Sequence, residues 1–243
     1  MAQYRVRASV YDFELALFEP IRREAISRLA LRRGDTVLDV GCGTGLSFAQ
    51  LQQGIGPTGK IVGIEQCPEM LQQAQRRVGQ QAWSNVTLLC APVEVAEIPV
   101  MADAALFHFT HDILRCPEAI ANVVAHLKPA AHVVAAGLQW AGPRTWPANW
   151  FVLPAALYST TSLEGLDRPW DKLAGLVGSL DVQPRCMGAI YIANGSAANG
   201  YTGFRRRSTT TSDAAQGGGV FGWKSQNRST AHCQHLGVRA TQT

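Results

Sequence analysis

The stretch Thr36-Val-Leu-Asp-Val40-Gly-Cys-Gly-Thr-Gly45 decides how the rest of the chain is read. Five β-prone residues run into three glycines at alternate positions, and the apolar residues that follow from Leu46 suit a helix. Glycines between a strand and a helix let the backbone turn sharply and let a ligand approach the main chain closely. The next apolar run, Lys60-Ile-Val-Gly-Ile64, ends at Glu65, 20 residues past Gly45. A carboxylate at the end of the second strand can accept both hydroxyl hydrogens of a ribose. The pattern therefore points to a ribose-bearing cofactor laid across the ends of the first two strands.

Outward from this unit, strands and helices alternate. Pro20 opens a helix with Ile21, Ala25, Ile26 and Leu29 on one face, and Pro68 and Pro117 open two more. Val86–Leu89, Ala104–Phe109 and His132–Gly137 read as further strands. Continuous apolar strands separated by helices indicate a buried parallel sheet covered on both faces, an α/β doubly wound fold. The rhythm breaks at 138–169, which is aromatic and proline-containing. A helix from Pro169 follows, and then two strand-like pieces, 181–185 and 188–193. These are joined too tightly for a helical crossover and so form an antiparallel terminal hairpin at the sheet edge.

Composition bounds the function. The chain has 243 residues, 47% hydrophobic and 16% charged, enough apolar material for a sizeable core. No apolar run reaches the ~18 residues of a membrane span, and the N-terminus lacks the apolar core of a secretory signal. The six cysteines show no Cys-x-x-Cys pair and read as free thiols in a reducing, cytoplasmic setting. The formal charge of +4 is uneven: residues 196–243 carry six basic groups and one acid, whereas 1–195 is near neutral. That tail is rich in Gly, Ser and Thr and is expected to be disordered, a segment apart from a domain at 1–195. A neutral body argues against nucleic acid as partner.

The dinucleotide fingerprint wants its third glycine three positions after the second. Here that position is Leu46, which disfavours a nicotinamide-dependent oxidoreductase. Val37-Leu-Asp-Val-Gly-Cys-Gly-Thr-Gly45 instead resembles the first motif of class I S-adenosylmethionine-dependent methyltransferases. Val62-Gly-Ile-Glu65 with Pro68-Glu-Met-Leu71 resembles their second, and Leu127-Lys-Pro129 their turn before the fifth strand. The resemblance covers residues 1 to about 195 and implies a seven-stranded, mostly parallel sheet closed by the antiparallel hairpin.

It also implies roles. Main chain around Gly41, Cys42, Gly43 and Gly45 would meet the methionine part of S-adenosylmethionine, and Asp39 would orient that loop. Glu65 would hold the ribose, with Gln66 and Met70 beside the adenine. The family often has an aspartate after the third strand; Pro92 stands there, leaving Val93 main chain or Glu94 to substitute. Methyl transfer needs an aligned nucleophile, exclusion of water and sometimes a base. The segment after the fourth strand offers His111 and Asp112, with His108 third; a metal site among them is not expected. Trp140, Trp146, Trp150, Phe151 and Tyr158 are candidates for an apolar acceptor pocket. The expected reaction is methyl transfer to an O, N or C atom of a small apolar or aromatic molecule. A non-catalytic S-adenosylmethionine-binding protein of the same fold is the alternative.

Overall fold

The computed structural model describes residues 18–160, 162–178 and 180–197. Thr36–Val40 forms β1 because alternate side chains can be buried on both faces: Leu38 and Val40 face one core, Val37 and Asp39 the other. β1 lies inside a seven-stranded sheet in the order β3-β2-β1-β4-β5-β7-β6. Its neighbours are β2 (Lys60–Glu65) and β4 (Ala102–His108), both parallel, with Asp39 in register with Gly63 and Leu106. β3 (Val86–Cys90) and β5 (Leu127–Leu138) extend the parallel part. β6 (Asp181–Arg185) and β7 (Ile190–Ser196) are antiparallel.

Seven α-helices are described. α1 (Glu19–Ser27), α2 (Phe48–Ile55) and α3 (Pro68–Gln80) precede β1, β2 and β3 respectively, and α4 (His111–Leu114) and α5 (Pro117–Ala125) precede β5. α6 (Asn149–Ser159) and α7 (Asp171–Val177) precede β6. One core joins β-strand residues to α5 and α7 through Ala119, Ile120, Val123 and Leu173. The other joins the opposite sheet face to α1 and α2 through Ile21, Ala25, Leu29, Phe48 and Leu51. Pro at the first helical turn starts α1, α3 and α5, where its missing N–H costs nothing.

The antiparallel terminal hairpin forms at the sheet edge, as expected. Within the hairpin, β7 pairs with β5 over seven residues and β6 is the outermost strand at that edge. An antiparallel strand fits there because Tyr191, Ile192 and Ala193 are buried, whereas β6 is only half-buried. β5 starts earlier than the apolar run suggests: Leu127 pairs with Ala102, and the left-handed Ala130 marks an irregularity before regular pairing resumes at His132. The helix expected from Pro169 begins at Asp171 and omits Leu180. Cys42, Cys67, Cys116 and Cys186 are free thiols, but Cys90 is disulfide-bonded, which corrects the reading of all six as free. The expected tail lies outside the described residues except for Ser196 and Ala197. Ala197 still donates a hydrogen bond to Ala131.

Candidate functional site

In a sheet of this topology ligands bind at the carboxyl ends of strands, where the chain departs in opposite directions from β1 and β4. A cavity of about 230 Å3 opens there. The glycine loop forms one wall. Gly41, Gly43 and Gly45 all have positive φ (71°, 56° and 77°), which side-chain-bearing residues rarely adopt. A Cβ on Gly41 would fall 2.6 Å from Thr110 Cγ2, so the loop sits hard against the start of α4. A Cβ on Gly45 would fall 2.6 Å from the Phe48 ring. Gly45 lines neither this cavity nor the smaller one beside it and makes the turn into α2.

Glu65, at the end of β2, joins the loop to α3. The Gly43 N–H donates to its Oε2 at 3.1 Å and the Cys67 N–H to its Oε1 at 2.8 Å. Burial raises its pKa, opposed by these backbone donors. A Gln66 main-chain contact also lowers its pKa, and the carboxylate, with about four acceptor sites, keeps capacity for a ligand hydroxyl. Gln66, Met70, Val93 and Glu94 line the same cavity, Gln66 and Glu94 at its exposed rim.

Asp39, Cys42 and His108 meet on the other side of the glycine loop, around a small adjoining cavity with Arg22. Three buried polar atoms here find no hydrogen-bond partner among the described residues: Asp39 Oδ2, Arg22 Nε and His108 Nε2. Burial pushes the Asp39 pKa up to about 7, with Glu65 adding to the rise and Arg22 opposing it. Burial, with help from Arg22, pushes His108 down to about 3. A neutral imidazole in such a site takes up a second proton only at high cost, so His108 belongs to this polar recess and is ill suited to act as a base. A carboxylate, a guanidinium and a neutral imidazole side by side match a zwitterion with both an ammonium and a carboxylate.

Arg22 was not foreseen. It is 2% exposed and sits on the buried face of α1 beside Ile21 and Ala25. A charged residue among the apolar positions of a helix is the signal that marks it; its Nη1 pairs with Glu19, while its buried Nε has no hydrogen-bond partner among the described residues.

His111, Asp112 and Thr110 line the main cavity from the end of β4. The backbone turns there through Phe109, at φ 56°. Thr110 is the N-cap of α4 yet makes no capping bond, and its hydroxyl has no partner among the described residues. His111 Nε2 lies 3.1 Å from the Glu164 carbonyl, whereas its buried Nδ1 has no such partner. Desolvation lowers the His111 pKa, opposed by the Glu164 contact and by Asp112. Phe109 and His111 also border a second recess with Leu138 and Tyr191.

The tryptophans do not wall these cavities. Trp146 and Trp150 are 57% and 76% exposed, Phe151 is also exposed, and Trp140 packs against the core; the Tyr158 side chain lies outside what is described. Among the described residues, no group of three His, Cys, Asp or Glu is placed to hold a metal ion.

The sequence pattern of a methyltransferase-domain family matches residues 37–130, the span from β1 into β5. The chain is similar to a protein-L-isoaspartate O-methyltransferase of Ignicoccus hospitalis, 42% identical over 59 residues, 24% of this chain and 28% of that one. It is 28% identical over 116 residues to a malonyl-[acyl-carrier protein] O-methyltransferase of Anoxybacillus flavithermus, covering 48% and 43%. The chain thus spans less than half the length of these curated relatives. In fold it is similar to the N-methyltransferase NodS of Bradyrhizobium japonicum, solved with S-adenosyl-L-homocysteine. The TM-score is 0.54 at 17% identity, over 74% of this chain and 87% of that one. Sheet order, glycine loop, the acid after β2 and the matched span agree: residues 37–130 match a methyltransferase domain, and they lie in a seven-stranded sheet whose fold is shared with a solved N-methyltransferase.

Proposed function

We propose that the chain is an enzyme that transfers a methyl group from S-adenosylmethionine to an oxygen or nitrogen atom of a small molecule with apolar or aromatic character. The observation that carries this reading is the Glu65 carboxylate bridging the glycine loop and α3 at the edge of one cavity that runs on to His111. When bound, S-adenosylmethionine supplies a methyl group made electrophilic by the adjoining sulfonium. Glu65 accepts from the ribose hydroxyls, and Met70, Val93 and Ile113 give the adenine apolar walls. Asp39 and Arg22 receive the ammonium and carboxylate of the methionine end. Phe109 gives the cavity an apolar wall beside His111, where an acceptor would sit away from water.

His111 is the base in this reading. Its lowered pKa keeps it neutral at physiological pH, ready to take a proton from an acceptor O–H or N–H. That favours acceptors which lose a proton on methylation. His111→Gln is expected to keep its affinity for S-adenosylhomocysteine by calorimetry while losing on the order of 100-fold or more in turnover of a labelled methyl donor. Full turnover by this variant sinks the base assignment.

Asp39 gives the site a pH dependence. With its pKa near 7, the carboxyl is mostly protonated at pH 6 and mostly ionised at pH 8. Only the ionised form accepts fully from a ligand ammonium, so affinity rises with pH. Between pH 6 and pH 8 the ionised fraction grows about tenfold, and the S-adenosylhomocysteine affinity is expected to grow by a similar factor. Asp39→Asn should bind more weakly and flatten that profile; a wild-type affinity independent of pH would contradict the assignment.

The near-neutral body supports a small-molecule acceptor over nucleic acid. No described helix is long and apolar enough to cross a membrane. A cytoplasmic location belongs to the same proposal; the free thiols of Cys42, Cys67, Cys116 and Cys186 support it and the disulfide at Cys90 opposes it.

A further inference from the structure

His111 is held from outside the sheet, by a segment with no part in cofactor binding. Its Nε2 is 3.1 Å from the main-chain oxygen of Glu164, in the connection between α6 and α7. A carbonyl oxygen only accepts, so Nε2 must carry the proton. In a neutral ring the lone pair is then on Nδ1. Nδ1 is buried and without a partner among the described residues, on a ring that borders both the main cavity and the recess beside Tyr191.

The Glu164 carbonyl is kept in place by several ties. The Glu164 carboxylate pairs with Arg115, one turn beyond His111 and just past the end of α4. The Arg115 carbonyl in turn accepts from Lys172 on α7, and the Glu164 N–H donates to Ser162 Oγ at 3.2 Å. Leu166 is fully buried and its carbonyl accepts from the Trp140 N–H at 2.8 Å. The Glu164 side chain is itself 80% exposed, so it contributes nothing directly to the cavity.

We infer that Glu164 is a positioning residue for methyl transfer: its main-chain carbonyl fixes His111 as the Nε2–H tautomer and so makes Nδ1 the proton-accepting nitrogen, with Arg115 holding Glu164 against the ring. The inference rests on the reading of His111 as the base. In the transfer, the acceptor heteroatom would take the methyl as the S–CH3 bond breaks to leave neutral S-adenosylhomocysteine, the acceptor's O–H or N–H proton would pass to Nδ1, and the ring, now an imidazolium, would still donate to Glu164. The carbonyl stabilises that charged state, so the contact is worth more after proton transfer than before it.

The test is 15N NMR of the full-length chain labelled at histidine, with His111→Gln identifying the His111 signals. The expected wild-type spectrum shows an unprotonated Nδ1 and a protonated Nε2. Arg115→Ala and Glu164→Ala should shift the Nδ1 resonance away from the unprotonated position as the other tautomer appears. Glu164→Gln, which can still bond Arg115, should restore the wild-type pattern. Unchanged S-adenosylhomocysteine affinity in each variant shows that the fold is intact. An Nδ1–H tautomer in the wild type, or an Nδ1 signal unmoved in both alanine variants, overturns the Glu164 assignment. Full turnover by His111→Gln with the expected spectrum overturns the base reading instead, and with it the catalytic meaning of the contact.

Discussion

Glu65→Ala is expected to weaken S-adenosylhomocysteine binding by about a hundredfold in calorimetry at pH 8. Two losses add. Removing a charged acceptor of two ribose hydrogen bonds costs on the order of 2–3 kcal/mol, and each 1.4 kcal/mol is a factor of ten. The alanine also orphans the Gly43 and Cys67 N–H groups, which the carboxylate now satisfies at 3.1 and 2.8 Å. The loop between β1 and α2 is thereby freed from α3, and part of the binding energy goes into ordering it again. Glu65→Gln separates the two contributions. Its amide oxygen can serve one main-chain donor, but its NH2 then faces the other, so the loop contact is half-lost while side-chain volume is kept. It should fall between wild type and alanine. The variant's stability should change little, because burial already raises the Glu65 pKa and removing a desolvated carboxylate recovers part of what the lost bonds cost. An affinity within threefold of wild type for Glu65→Ala would remove Glu65 from the ribose site.

What could be read from the residues follows a physical line. β1, β2 and the glycine loop were legible because continuous apolar strands and glycines at φ above zero are local facts. The Glu65 spacing was legible for the same reason, since a short βαβ unit fixes where the second strand ends. Arg22 was not, because its meaning depends on Asp39 and His108, which only the packing of α1 over β1 and β4 brings near. The position of β7 inside the sheet was hidden too. A tight turn specifies a hairpin, but not which of its two strands meets β5. The tryptophans misled because aromatic content does not carry direction. α6 is apolar all round, with Pro154 within it, so no stripe shows which side faces the cavity. Glu164 lay out of reach of any pattern, since it acts through a main-chain carbonyl that every residue possesses.

Phe48 carries the other large effect, and the sign of its second readout separates it from Glu65. The ring is fully buried at the start of α2. It occupies the space that side chains would take at Gly45 and Gly63, whose added Cβ atoms would lie 2.6 and 3.0 Å from it. The ring is therefore the floor under the glycine loop as well as part of the core with Leu51 and Ile55. Phe48→Ala should cost about 3–5 kcal/mol, because small neighbours and glycine backbone cannot collapse into the cavity. For a domain of this size that is a fall of about 10 °C or more in Tm. The loop that loses its floor also loses the φ-positive conformation that presents its N–H groups, so cofactor affinity falls with stability. Phe48→Leu retains most of the volume and should recover most of both. Glu65→Ala, by contrast, loses affinity at nearly constant Tm. If Phe48→Ala melted like wild type, the packing between α2 and the loop would be wrong. If it melted early but bound S-adenosylhomocysteine with unchanged affinity, the loop would hold its shape without the ring, and Glu65 alone would be what presents the Gly43 main chain to the ligand.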